Sequence, residues 1–171
     1  AGGAVERVEY TYDPLGRRIA RRAYDHEETI LSTEKYLWKG LTDLLAVYDG
    51  SNQLQQRFEY LGGGLPVGVE IWDGTGFDYY YLAYDQIGSL RYVFDESGSV
   101  AKAISYDAFG NVLSDSSPSL KLPLGFAGGH TDQDTGLVRF VARDYDPEIG
   151  RWTAGDPIGI PGSTSPLASG F

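Results

Sequence analysis

Residues 79–106 read YYYLAYDQIGSLRYVFDESGSVAKAISY. Tyr79 to Tyr84 is an aromatic and aliphatic run, and Leu90 to Phe94 and Val100 to Tyr106 are two more. Between them lie Asp85-Gln86-Ile87-Gly88 and Asp95-Glu96-Ser97-Gly98-Ser99. An aspartate side chain can accept a hydrogen bond from the backbone two residues on, and a following glycine takes the left-handed conformation. Each insert is therefore a turn with a mechanism, and the stretch predicts three antiparallel strands joined by tight hairpins.

The same pattern runs outward in both directions. Tyr12, Tyr24, Tyr36, Tyr48 and Tyr60 fall twelve residues apart, and Trp72 and Tyr84 continue the series. The register then slips by two, after which Phe94 and Tyr106 are again twelve apart. Self-similarity at a fixed period marks a repeat architecture. A strand of ~5–6 residues with a short turn fills that pitch. Tyr24-Asp25, Tyr48-Asp49-Gly50 and Trp72-Asp73-Gly74 carry aspartate after the ring, whereas Tyr36-Leu37 and Tyr60-Leu61 carry leucine. The alternation predicts a unit of twenty-four residues, a strand pair with two different turns. Tyr12 to Gly16, Tyr84 to Gly88 and Tyr106 to Gly110 share the form Tyr-Asp-x-x-Gly. Helix signals are poor; Leu41 to Tyr48 has room for two turns, tightly bracketed by Gly40 and Gly50. The predicted fold class is all-β: antiparallel hairpins forming a curled, barrel-like sheet over residues 1–113. A loop follows at 114–123, where Ser and Pro cluster. An inward-turning closing segment occupies 124–171, its tail from Pro157 to Phe171 running irregularly.

With 42% hydrophobic and 22% charged residues, the 171-residue chain reads as globular. A net charge of −10 repels a phosphate backbone and argues against nucleic acid as a partner of the whole surface. Cysteine is absent, which excludes disulfides, thiol catalysis and Cys-ligated zinc. No apolar run approaches the ~18 residues of a membrane helix. The chain opens on Ala1 and contains no Met, and so reads as a processed product or a cut-out of something longer. No phosphate loop, Ser-His pair or cofactor motif occurs, and neither a metal nor a cofactor is expected. Asp132-Gln133-Asp134-Thr135-Gly136 lacks a calcium loop's remaining ligands and reads as a capped turn. His130 in its Gly-rich turn reads as solvated or locally hydrogen-bonded, and His26 as a surface residue. Arg17, Arg18, Arg21 and Arg22 read as a charged strand face that blocks edge aggregation. Most tyrosine rings are expected to pack between strands.

The stretch from Phe126-Ala127-Gly128-Gly129-His130 through Asp134-Thr135-Gly136-Leu137 and Arg143-Asp144-Tyr145-Asp146-Pro147 to Gly150-Arg151-Trp152 and Asp156-Pro157-Ile158-Gly159 resembles the RHS repeat-associated core domain. That domain ends bacterial RHS, or YD-repeat, proteins, and the upstream Tyr-Asp-x-x-Gly units resemble YD repeats. The resemblance implies a sheet that spirals into a hollow cocoon around a C-terminal toxin or effector. In such proteins the core domain curls inward to plug one end, and in many members it cuts the chain at the toxin boundary with an aspartic-protease-like site. The implied site residues are Asp144, Asp156 and Arg143. The implied partners are the protein's own effector segment, the remaining shell repeats and a component of the secretion machinery. The implied location is bacterial, exported or at the cell surface.

The chemistry is consistent with that assignment. Two close carboxylates cannot both ionise, so one acts as base and the other as acid on an amide. Asp144 and Asp156 are twelve residues apart, one repeat pitch, and equivalent positions on neighbouring strands lie ~4.8 Å apart. Arg143 could hold a carboxylate or the scissile carbonyl through its forked donors. Within one strand, however, Arg143 and Asp144 would point to opposite faces. Asp146, before Pro147, reads as structural. Such an activity would turn over once, in cis. The rival readings are an adhesion module touching glycans or cell-surface proteins through its tyrosines, and an inert remnant. If every residue were strand, ~3.3 Å by ~4.8 Å, the sheet would cover on the order of 2,700 Å² and curl to a radius of roughly 15 Å. Alone it cannot enclose a protein domain; it either folds on itself or ends a longer sheet.

Overall fold

The computed structural model describes residues 4–155. Ten consecutive strands form one antiparallel sheet in chain order: β1 (Arg7–Tyr12), β2 (Arg18–Tyr24), β3 (Ile30–Lys39), β4 (Asp43–Asp49), β5 (Leu54–Glu59), β6 (Gly68–Trp72), β7 (Phe77–Tyr84), β8 (Leu90–Asp95), β9 (Val100–Tyr106) and β10 (Val112–Asp115). A four-stranded sheet follows: β11 (His130–Thr131), β12 (Val138–Phe140), β13 (Arg143–Asp146) and β14 (Arg151–Trp152). There is no α-helix among the described residues. Leu41 to Tyr48, with room for two helical turns, lies mostly in β4, paired on both sides by β3 and β5. The irregular tail predicted from Pro157 lies outside the described residues.

The twelve-residue beat has a structural counterpart. Tyr12, Tyr24, Trp72, Tyr84 and Tyr106 are the last residues of their strands. The pairing register shifts at the step into Tyr12, Tyr24, Tyr48, Tyr84 and Phe94. A bulge bends its strand and increases the local twist, so a bulge repeated at one position curls the whole sheet. The aspartate after the ring then closes the turn. Oδ1 of Asp13, Asp25, Asp49, Asp85, Asp95 and Asp107 accepts the N–H groups two and four residues on. Gly88 takes φ +89 in its turn, whereas Glu28 and Asn52 adopt left-handed angles of 61° and 65° at the equivalent place. Asp85→Ala is expected to cost about 1 kcal/mol, because two backbone donors lose their acceptor. Thermal unfolding should show a fall of about 2–4 °C.

The two ends of the sheet differ in chemistry. At one end the turns present polar tips, among them Glu27, Asn52, Thr75 and Glu96. At the other, Leu15, Leu41, Leu61, Ile87 and Phe109 are between 51% and 76% exposed. The predicted twenty-four-residue unit corresponds to one hairpin, whose successive turns lie at opposite ends of the sheet.

The concave face holds the core: Tyr36, Leu44, Val47, Phe58, Val69, Leu82, Leu90, Val93 and Ile104, joined by Leu122 and Leu124 from the segment after β10. Each such side chain contributes about 1.5–3 kcal/mol on burial. The closing segment also lies across the apolar end. Gly125 O accepts from Leu90 N at 3.1 Å, Ala127 N donates to Ser89 Oγ at 3.0 Å, and Tyr145 Oη donates to Phe109 O at 2.9 Å. The sheet therefore folds over its own closing segment.

Candidate functional site

Arg18 and Arg21 share the inner face of β2 although they are three positions apart. The bulge between β1 and β2 makes Ile19 an extra residue, which restores the shared parity. Both arginines are buried, at 1% and 4% exposure. This corrects the expectation of a charged outer face: Arg18 and Arg21 point inward and bind the closing segment.

Asp132, 3% exposed, is the centre of that contact. It accepts from Arg21 Nε at 2.6 Å and from Tyr10 Oη at 2.8 Å, and Arg18 Nη1 lies 4.0 Å away. Its other oxygen accepts from the backbone N–H of Asp134 and Thr135, so the predicted capped turn is present and carries an ion pair as well. Asp134 also binds Arg21. Arg18 donates to Asp144 Oδ1 at 3.0 Å, and Arg139 donates to Asp144 Oδ2 at 2.7 Å and to Gly16 O at 2.7 Å. Arg18, Arg21 and Arg139 thus face Asp132, Asp134 and Asp144, a balanced set. The rings of Tyr10 and Tyr12 lie 3.7 Å and 4.3 Å from the guanidinium carbons of Arg18 and Arg139. Burial pushes the Asp132 pKa up, but hydrogen bonding and charge from Arg21, with the Tyr10 hydroxyl, outweigh it and hold the group below 3.8. Burial raises the Tyr10 phenol, leaving it a hydrogen-bond donor.

His130 is 6% exposed, and neither ring nitrogen has a hydrogen-bond partner. It sits edge-on to Tyr36 at 4.5 Å and Trp38 at 5.5 Å between ring centroids. The expectation of a solvated or locally bonded histidine is therefore overturned, because β3 covers the turn.

The proposed catalytic residues are placed as follows. Asp144 lies in β13 with a guanidinium on each oxygen. Arg143 stacks on Trp152, 4.1 Å from the ring centre. In the β13–β14 hairpin the residue opposite Asp144 is Thr153, whose N–H and Oγ1 donate to Asp144 O at 2.9 Å and 3.1 Å. Asp156 lies outside the described residues. Asp146 Oδ1 accepts from Glu148 N at 2.9 Å, a turn cap. A cleft of about 580 Å³ opens beside Asp132, Asp134 and Asp146; Asp144 is not on its wall.

A meander of tyrosine–aspartate hairpins, curled by periodic bulges and closed by a Gly-rich four-stranded segment, defines a YD-repeat shell protein. A family model described as Teneurin YD-shell matches residues 3–160, and the chain belongs to that family. It is 36% identical over 152 residues to Teneurin-3 of Danio rerio, covering 87% of this chain and 5% of that protein. It is 32% identical over 183 residues to Double-stranded DNA deaminase toxin A of Burkholderia cenocepacia (strain H111), covering 95% of this chain and 13% of that protein. The chain therefore spans a small part of the length of the curated relatives it matches. Its fold is similar to the crystal structure of TcdB2-TccC3-TEV, with a TM-score of 0.66, 20% identity, and coverage of 90% of this chain and 8% of that one.

Proposed function

We propose that this chain is the closing part of an RHS-type shell that encloses an effector carried on the same protein, and that its closing segment seals one end and cuts the chain there. The observation that carries this reading is the seating of residues 122–152 in the concave face and across one end of the sheet, fixed by a buried network of arginines and aspartates. The rim of exposed apolar tips at that end supports a further covering partner, since exposed apolar patches mark interaction sites. The effector segment, further shell repeats or a secretion component would supply that cover, in an exported protein. The name of the Burkholderia relative, a toxin, agrees with such a cargo.

For the cut, Asp144 and Asp156 form the acid–base pair. One carboxylate takes a proton from water as its oxygen bonds to the carbonyl carbon. The other protonates the departing amine as the C–N bond breaks. Arg143 is the electrostatic partner of that pair, and Arg18 and Arg139 keep the Asp144 carboxylate oriented.

A chain extended beyond Phe171 is expected to yield two fragments. Asp144→Asn and Asp156→Asn should each lower cutting at least a hundredfold, about 2.7 kcal/mol of barrier, while circular dichroism retains the β signal. A folded chain that stays whole would remove the processing role. It would favour the adhesion reading, for which Phe77, Tyr79, Tyr81, Tyr92 and Phe94 on the convex face provide an aromatic surface; Tyr81 and Tyr92 are 52% and 47% exposed.

A further inference from the structure

We propose that His130 is an acid-sensitive latch, whose protonation releases the closing segment from the shell. This deepens, and rests on, the reading of that segment as a seal. His130 stands at the junction itself, with β11 pairing it to Arg139 and the ring lying against Tyr36 and Trp38 of β3. Both nitrogens are buried and without an acceptor, so a second proton would place a full charge where nothing receives it.

The groups around it make that proton harder to add. β2 presents Arg18 and Arg21, and β12 presents Arg139; all three disfavour a further cation. β3 presents Tyr36, which stays neutral because burial pushes its phenol well above 10. Asp132 favours the cation, but it and Asp144 are already engaged with the arginines. With three arginines set against three aspartates, the neutral imidazole completes a balanced interface and the imidazolium unbalances it.

Burial first, then the charge of Arg18, lowers the His130 pKa from 6.5 to about 3. The sign follows from linkage. The released form binds the proton more tightly, so docking is fully favoured above pH 6.5 and weakens as pH falls from 6.5 toward 3. The weakening approaches tenfold per pH unit in that window. Asp132, held below 3.8, keeps its charge through most of it.

Hydrogen exchange on this chain at pH 7.5, 6 and 5, corrected for intrinsic rates, tests the latch. Opening of β11 to β13 should rise roughly thirtyfold by pH 5, with β6 to β8 protected throughout. His130→Leu and His130→Asn should abolish the rise. A profile shared by wild type and both folded variants overturns the proposal. Should neither variant fold, the imidazole titration followed by NMR in the wild type decides: a pKa near 6.5 overturns the latch and one below about 5 supports it. Enclosure is read separately, as protease protection of the effector in the longer protein. Loss of that protection leaves the His130 profile intact, and a flat His130 profile leaves enclosure intact.

Discussion

Replacing Asp132 by alanine should detach the closing segment and cost about 3–5 kcal/mol, since it leaves the buried Arg21 without its main counter-charge and Tyr10 with Thr135 Oγ1 as its remaining hydrogen-bond partner. Removing one member of a buried pair costs more than the pair contributes net, because the remaining charge stays desolvated. Two turn N–H groups also lose their acceptor. Asp132→Asn preserves shape but not charge and should fall only slightly short of alanine. Urea unfolding would report the loss, and limited proteolysis should cut first between Leu113 and Val138. The pH dependence carries the matching sign. The folded carboxyl is held below 3.8, so its contribution is complete above that value and disappears as pH falls further. The variant should lack that acid limb.

Gly110→Ala should be nearly as damaging, by about 2–5 kcal/mol. Gly110 has φ +96, and a Cβ there would lie 2.5 Å from the Phe126 ring. The strained backbone contributes about 1–3 kcal/mol and the overlap a similar amount. Phe126 packs between Tyr106 and Tyr145 and anchors the entry to the closing segment. The alanine variant should therefore retain the first sheet and lose protection in β11 to β14 by hydrogen exchange. Gly98→Ala at the polar end is a useful control: it shares the positive φ, at +82, but a Cβ there meets nothing within 4 Å. The difference between the two variants isolates the contact with Phe126.

Much of the fold can be read from local chemistry. Asp85 caps its turn because its carboxylate reaches N–H groups two and four residues on, a geometry contained in five residues. What is not local was harder to read. β10 runs to Asp115, two residues into the predicted loop, because Ser114 and Asp115 find partners in Ser105 and Ile104 of β9. Arg17, Arg18, Arg21 and Arg22 read as one charged strand face, whereas regular strand parity sets residues three positions apart, such as Arg18 and Arg21, on opposite faces. One bulge at Ile19 reverses that parity.

The sequence by itself determined the hairpins, their pitch and the family, because each rests on residues a few positions apart or on motif order. The tertiary structure alone decided that Arg18, Arg21 and His130 are buried. Their environment is supplied by Asp132, Asp144 and Tyr36, more than ninety positions away along the chain. Burial and charge compensation belong to the docked pair of sheets, and no local pattern encodes which distant carboxylate will meet a given guanidinium.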